Sequence, residues 1–143
     1  MDVFDKKTRS RIMRSVRVTR TEPEERLASA LRELGLRFRR NDRHIFGKPD
    51  FVFRAERLAV FIDGDFWHGR AWIERGEAPA SNAKFWIAKF ERNERRDRVV
   101  DKTLRQAGWS VLRFWGSDMR STSISGARLV RSRLRRLSRR RAS

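Results

Sequence analysis

Two apolar runs joined by only three residues dominate the middle of the chain: Asp50 to Arg54 (DFVFR) and Leu58 to Asp63 (LAVFID), separated by Ala55-Glu56-Arg57. So short a link suits an antiparallel hairpin and excludes a parallel crossover between the two. The second run is apolar almost throughout, so it is expected to be a central strand covered on both faces. The pairing has a chemical consequence. Asp50 opens the first strand and Asp63 closes the second, so antiparallel pairing brings both acids to one end of the sheet. His68 follows five residues after Asp63, inside the glycine-bracketed segment GDFWHG.

The rest of the chain orders itself around that hairpin. Residues Asp5 to Val16 (DKKTRSRIMRSV) read as a short basic helix with a thin apolar face, either a frayed terminus or an arm that DNA orders. Thr21-Glu22-Pro23-Glu24 has capping-box spacing with proline in the first turn. The helix it starts carries Leu27, Ala30, Leu31 and Leu34 on one face and ends at Gly35. Glu24 is by default the capping partner of Thr21, with a place at a site above the sheet as the alternative. Leu36 to Arg40 alternates like a half-exposed strand, and Gly47-Lys48-Pro49 is a turn. Gly64 to Ser81 has little periodicity and reads as a long functional loop. Asn82 is expected to cap a long helix that runs to about Ala107 and is closed by Gly108. Its buried stripe is Trp86, Phe90, Asn93, Asp97, Val100, Leu104 and Ala107, apolar at both ends and polar in the middle. Lys89, Asn93, Arg96 and Val100 form the adjacent row. A polar break of this kind marks either a satisfied network or the border of a site. Trp109 to Trp115 is a further strand. A last helix from about Ser125 is expected to turn Leu129, Val130, Leu134 and Leu137 inward, with 138–143 as a disordered basic tail. The order implies one α/β domain over 1–143, a mixed β-sheet flanked by helices, with 1–20 as a mobile arm.

Charge and composition narrow the function. Lys and Arg number 36 against 18 acids, a net charge of +18. The excess is mostly Arg, which forks bidentately onto phosphate, so a polyanion with a phosphate backbone is the expected partner. The basic stretches have too little apolar area to sit stably in a membrane surface. The chain has no cysteine, which excludes disulfides, a cysteine nucleophile and any thiolate zinc site. No apolar run approaches the ~20 residues of a membrane span, and no signal peptide is expected. The expected setting is cytoplasmic, of bacterial type, with a monomer that joins the nucleoid when bound.

Phosphodiester cleavage uses Mg²⁺ held by a few hard oxygens, with room for water and phosphate. Asp50 and Asp63 suit that role, a backbone carbonyl near Ile62 would serve equally, and His68 suits the base that activates water. Singly, a turn aspartate and a loop histidine are ordinary. Together, beside paired strands in a strongly basic chain, they point to a metal-assisted site. Phe66 and Trp67 are either local core or a wedge that stacks on bases, and Trp86 fits the helix core.

The segments DKKTRSRIMRSV, PEERLASAL, KPDFV, VFIDGDFWHG, FWIAKFERNERRD and GWSVLRFW fall in an order and spacing that resembles the very-short-patch mismatch-repair endonucleases (Vsr-type), a branch of the restriction-endonuclease-like PD-(D/E)xK superfamily. The resemblance implies Mg²⁺-dependent nicking of one strand of duplex DNA beside a T:G mismatch, of the kind 5-methylcytosine deamination leaves. It implies Asp50 and the Ile62 carbonyl as metal ligands, Asp63 as a possible third, His68 as the catalytic histidine and Glu24 as the acid that supports it. It further implies Phe66, Trp67 and Trp86 as intercalating aromatics, and DNA contacts from Lys89, Asn93, Arg96 and an arm carrying Arg9, Arg11 and Arg14. Mismatch-repair factors would be its partners. Characterised members carry a structural zinc whose ligand positions correspond here to Asp65, Arg70, Trp72 and Ser117, so no zinc is expected. Asp65 and Arg70 are expected to pair instead, with Trp72 packed where the metal would sit. Two other readings stand beside this one: an endonuclease of the same fold with another DNA target, restriction-type or structure-specific, and a DNA-binding module without catalysis.

Overall fold

The computed structural model describes residues 21–142, and the expected N-terminal arm with Arg9, Arg11 and Arg14 lies outside them. The described chain forms α1 (Glu22–Glu33), β1 (Arg39–Arg40), β2 (Phe51–Phe53), β3 (Leu58–Asp63), α2 (Arg70–Arg75), α3 (Ala83–Gln106), β4 (Ser110–Trp115) and α4 (Gly116–Ala142). The four strands lie in sequence order in one sheet. The hairpin pairs β2 with β3 antiparallel, Phe51 opposite Val60 and Phe53 opposite Leu58. α3 then carries the chain across to β4, which runs parallel to β3 from Leu58–Ser110 to Asp63–Trp115.

Alternation along the strands divides the core in two. Phe51, Phe53, Leu58 and Val60 face α1 and α4, where Leu27, Leu31, Met119, Val130 and Leu134 close over them. Ala59, Phe61 and Val111 face the other way, towards Leu104 of α3. β3 is therefore covered on both faces, as its unbroken apolar run requires. α1 ends in a Schellman motif: Gly35 at φ +75° lets its own N–H reach the Arg32 carbonyl and the Leu36 N–H reach that of Leu31.

Several local expectations change. Thr21 occupies the N-cap but makes no side-chain capping bond, and Asn82 likewise sits at an N-cap without a side-chain capping bond. β1 is reduced to Arg39–Arg40, although Leu36 and Phe38 still pack on the core. The loop from Gly64 to Ser81 contains the short helix α2, bounded by left-handed Gly69 and Gly76. α4 starts at Gly116 rather than near Ser125, with a kink at Thr122 (φ −133°, ψ 40°). Its first turns are rich in Ser and Thr, whose weak helix preference hid them. Here the Thr122 hydroxyl donates back to the Asp118 carbonyl and that of Ser121 to the Ser117 carbonyl. Leu129 is 47% exposed instead of inward, and Ala127 takes its place in the core. The segment expected as a tail continues α4 as far as Ala142. No helix among the described residues is long and apolar enough to cross a membrane.

Candidate active site

The hairpin register places Asp50 one residue before β2, and its carboxylate accepts the Ile62 N–H at 2.6 Å. Antiparallel pairing thus brings Asp50 to the Asp63 end of β3, as the short link requires. Glu24 reaches the same place from the first turn of α1 and is only 7% exposed. Burial, reinforced by the Glu24 carboxyl beside it, pushes Asp50 up to about 7. A carboxylate at Asp50, buried beside a second carboxyl, is therefore disfavoured unless a cation joins it. Among the described residues, Arg40 on β1 is the cation paired with Glu24. Its guanidinium lies 2.8 Å from Glu25 and 3.6 Å from Glu24, and over the Phe51 ring. The Arg40 side chain is itself buried, and its Nε and Nη2 make no hydrogen bond to the described residues.

Asp63, Phe61 and Ala59 share the other face of β3, which sends the Asp63 carboxylate towards α3. There His68 Nδ1 lies 2.7 Å from Asp97 and Nε2 lies 3.8 Å from Asp63. Burial alone would lower the His68 pKa, but the Asp97 bond and the Asp63 charge outweigh it and hold the imidazole above its ordinary value. Burial likewise pushes Asp63 up, against the pull of His68 and Arg113. Asp97 is held down by His68 despite its own burial. Arg113 of β4 ties the group together, 2.9 Å from Asp63, 3.8 Å from Asp97 and 2.7 Å from Asp101, with Phe61 beneath it. The support for His68 expected from Glu24 comes from Asp97, while Glu24 lies against Asp50 and Arg40.

Above these residues stands an aromatic cluster. Phe66 packs edge-on against Trp86 at 4.8 Å between centroids and against Phe90 at 6.0 Å, and Trp67 meets Trp86 at 5.9 Å. Gly69 lies against the Phe90 ring, where a Cβ would come within 2.5 Å of Cγ, so only glycine fits. Trp86 is 6% exposed and belongs to the core of the cluster; the exposed aromatic at the start of α3 is Phe85. Phe66 and Trp67 are half-buried. The ammonium of Lys89 lies over the Trp67 ring. Asn93 is buried and donates to the Trp67 carbonyl at 2.7 Å, so it serves as a strut for the loop. Arg96 stays exposed one residue from Asp97.

The loop is tied down on its far side by Arg70. Its guanidinium donates to Ser117 Oγ at 2.8 Å, to Asp118 at 3.1 Å and to Glu74 at 3.1 Å, and pairs with Asp65 at 3.4 Å. Asp65 in turn accepts the Ser117 N–H at 2.9 Å and the Ser117 hydroxyl. These bonds hold the Asp65 carboxyl below its usual range although burial opposes them. The expected Asp65–Arg70 pair is present and larger than expected, since it includes Ser117 and Asp118 from the β4–α4 junction. Trp72 is half-buried on α2, and the indole over Arg70 is that of Trp115, 5.3 Å from the guanidinium carbon.

Among the described residues, two places have the chemistry to hold a divalent metal. Asp50 and Glu24 offer hard carboxylate oxygens whose mutual repulsion a cation would relieve. Asp63, His68 and Asp97 offer ligand atoms within 4.8 Å of one another, but Arg113 already supplies a positive charge there. Residue-by-residue reading missed Arg40, Arg113 and the pairing of Asp97 with His68. Only the polar middle of the α3 stripe hinted at the last.

The sequence profile of the family described as DNA mismatch endonuclease Vsr matches residues 1–74. The chain is 46% identical to the type II nicking enzyme V.NmeDIP of Neisseria meningitidis serogroup C, over 94% of this chain and 91% of that protein. It is 50% identical to the type II nicking enzyme V.HpaIIP of Haemophilus parainfluenzae, over 69% of this chain and 70% of that protein. It is 40% identical to the DNA mismatch endonuclease Vsr of Escherichia coli (strain K12), over 83% of this chain and 76% of that protein. The mixed sheet with helices on both faces is the restriction-endonuclease-like arrangement the sequence led us to expect. The chain belongs to the Vsr family and is a DNA endonuclease.

Proposed function

We propose that the protein nicks one strand of duplex DNA beside a T:G mismatch, with Mg²⁺ as cofactor, and so acts in the repair of deaminated 5-methylcytosine. The observation that carries this reading is the meeting of Asp50, Glu24, Asp63 and His68 at one end of the sheet beneath Phe66 and Trp67. Asp50 and the Ile62 carbonyl would hold the metal, with Asp63 at the edge of that group. The Ile62 N–H already points at Asp50, and the carbonyl of a strand residue faces the same neighbour as its N–H. A bound Mg²⁺ supplies charge for the phosphate and lowers the pKa of its water.

The chain's own groups do the rest. Asp97 fixes the imidazole through Nδ1, so Nε2 is the atom that takes a proton from the attacking water. Arg113 holds Asp63 and Asp97 in place without taking part in proton transfer, since a guanidinium stays charged. Phe66 and Trp67 would enter the base step at the mismatch, where unstacking costs least. Asn93 and Gly69 keep that pair rigid, which a wedge requires. Mismatch-repair factors are its proposed partners, a monomer its active form and the cytoplasm its setting. V.NmeDIP and V.HpaIIP are named nicking enzymes, whereas the Escherichia coli relative is named a mismatch endonuclease, so a nicking enzyme with another DNA target is the second reading.

The test uses a T:G duplex labelled on each strand in turn. Cutting confined to the thymine strand, dependent on Mg²⁺ and lost in Asp50→Ala while duplex binding persists, is the expected outcome. Nicking by Asp50→Ala would overturn the site, and cutting of both strands would overturn the nicking reading.

A further inference from the structure

We propose that the β1–β2 loop, residues 42–48, grips the duplex beside the reaction centre: Arg43, His44 and Lys48 take backbone phosphates and Phe46 packs on deoxyribose. The proposal rests on the catalytic end described above and on DNA as the substrate class, not on the T:G reading.

Topology brings the loop to that end. β1 runs antiparallel to β2, Arg40 opposite Phe51, so the link between them leaves the sheet where Asp50 and Asp63 meet. The Asn41 N–H donates to the Asp50 carbonyl at 3.1 Å and closes the loop at its base. Successive residues then alternate in direction. Ile45 packs on the cluster of Phe61 and Leu104, Gly47 lies against Val100, and Pro49 is fully buried. A Cβ on Gly47 would come within 2.5 Å of Val100 Cγ1, so glycine is what lets the loop approach α3 this closely. Arg43, His44, Phe46 and Lys48 are exposed, Phe46 by 53%.

Asp42 is the one acid from Asn41 to Lys48, and it is 7% exposed. Its carboxylate pairs with Arg54 at 2.6 Å and accepts the His44 N–H at 2.9 Å. The loop thus hides its carboxylate and shows a duplex two cations, an imidazole and an aromatic ring. Phosphate contacts of this kind fix the register of a duplex, and an aromatic ring adds apolar contact without demanding a base sequence. Lys48 holds φ +51° ahead of a proline, where extended backbone is the norm. Its packed neighbours impose that strained conformation and so fix the direction in which its side chain leaves the loop.

α3 gives the spacing. Phe90 touches Phe66 and Gly69, Asp97 holds His68, and Val100, beneath Gly47, comes about one turn later. From Phe90 to Val100 the helix rises ~15 Å, about four base-pair steps of roughly 3.4 Å. The order along α3 is aromatic pair, His68, loop. A duplex that meets Phe66 and Trp67 and presents a phosphate to His68 continues past Arg43 and Lys48.

The experiment measures binding of the full chain to fluorescent duplexes by anisotropy, in EDTA, over a range of salt. Arg43→Gln/Lys48→Gln should weaken binding at least ~10-fold near about 0.1 M salt and lower the salt slope by roughly 0.9 for each of the two contacts. Arg32→Gln/Arg37→Gln removes the same charge where α1 ends and β1 has yet to begin, at the other end of the sheet, and should weaken binding less than ~3-fold. Phe46→Ala should weaken binding with the slope unchanged, because an apolar contact releases no counterion. These arms are read on a fully paired duplex as well as on T:G, so they stand without mismatch selectivity. If the double variant melts early, Arg43→Gln alone is read in its place, with half the slope change. The parent protein needs no variant for the last arm: on a T:G duplex trimmed on each side in turn, affinity should drop once one arm is shorter than about four base pairs. Arg43→Gln/Lys48→Gln should not feel that trimming. Failure of the site reading shows elsewhere, as nicking by Asp50→Ala. The loop proposal is overturned by a folded variant with the parent's affinity and salt slope, by an equal loss in Arg32→Gln/Arg37→Gln, or by a trimming effect that the loop variant keeps in full.

Discussion

Asp50→Asn should abolish nicking and make the metal-free protein more stable at pH 8. The two carboxyls of Asp50 and Glu24 are buried together, and Asp50 is held at about 7 against an ordinary 3.8. Each pKa unit is ~1.4 kcal/mol, so ionising Asp50 in the fold costs of order 4 kcal/mol. The sign follows from proton counting. Below pH 3.8 both folded and unfolded chains carry the proton and nothing is lost. Between 3.8 and about 7 the unfolded chain releases it first, so stability falls as pH rises, and above about 7 the full penalty remains. An asparagine keeps the acceptor for the Ile62 N–H and gains an amide that donates to Glu24, but it still buries a polar group. Roughly half the penalty, ~2 kcal/mol, should therefore be recovered, or about 4–8 °C in Tm at ~2–4 °C per kcal/mol. Thermal unfolding of both proteins in EDTA at pH 4, 6 and 8 measures it. The gap should be small at pH 4 and open by pH 8, and Mg²⁺ should close part of it by stabilising only the unsubstituted protein. A variant no more stable than the parent at pH 8, or a gap independent of pH, would refute the buried acid pair as described.

Three further outcomes follow from the same geometry. Asp97→Asn removes the charge that raises His68, so nicking should fall at least ~10-fold and the acid limb of its pH–rate profile should move to lower pH; an unmoved limb would remove Asp97 from the proton path. Arg40→Met removes the buried cation that pairs with Glu24 and Glu25 and should cost ~2–4 kcal/mol in metal-free denaturant unfolding, partly restored by Mg²⁺. Arg70→Met should lower Tm and slow nicking by loosening the Phe66–Trp67 loop, whereas a zinc-selective chelator should change neither in the parent protein; chelator sensitivity would mean that the Arg70 network is not what secures the loop.

What the sequence made legible was local. The hairpin, the limits of β3 and the left-handed closures at Gly35 and Gly108 depend on residues within a turn of each other, and all were readable. The Asp65–Arg70 pair was readable because five residues separate them, but Ser117 and Asp118 complete it from 47 and 48 residues beyond Arg70. Arg113 behaves in the same way: on its strand it is one more alternating basic residue, and only the parallel pairing of β4 with β3 sets it beside Asp63. Arg40 looked like an exposed strand residue because the short β1 and the packing of α1 over it leave no trace in the pattern. Glu24 was ambiguous for a simpler reason, since capping-box spacing and a site acid in the first turn use the same residue. Leu129 failed through phase: the kink at Thr122 and the early start at Gly116 leave the inward stripe to Ala127, Val130 and Leu134.

The central claim is that this site nicks DNA at T:G. Single-turnover rates on T:G, T:A and C:G duplexes of one sequence, with Mg²⁺ and saturating protein, test it most directly. A nick in the thymine strand of the T:G duplex at least ~100-fold faster than in either paired duplex is the expected result, about 2.7 kcal/mol, because unstacking, which costs a few kcal/mol, costs least at a mismatch. Equal rates on all three would contradict the mismatch reading and leave a nicking endonuclease with a different target.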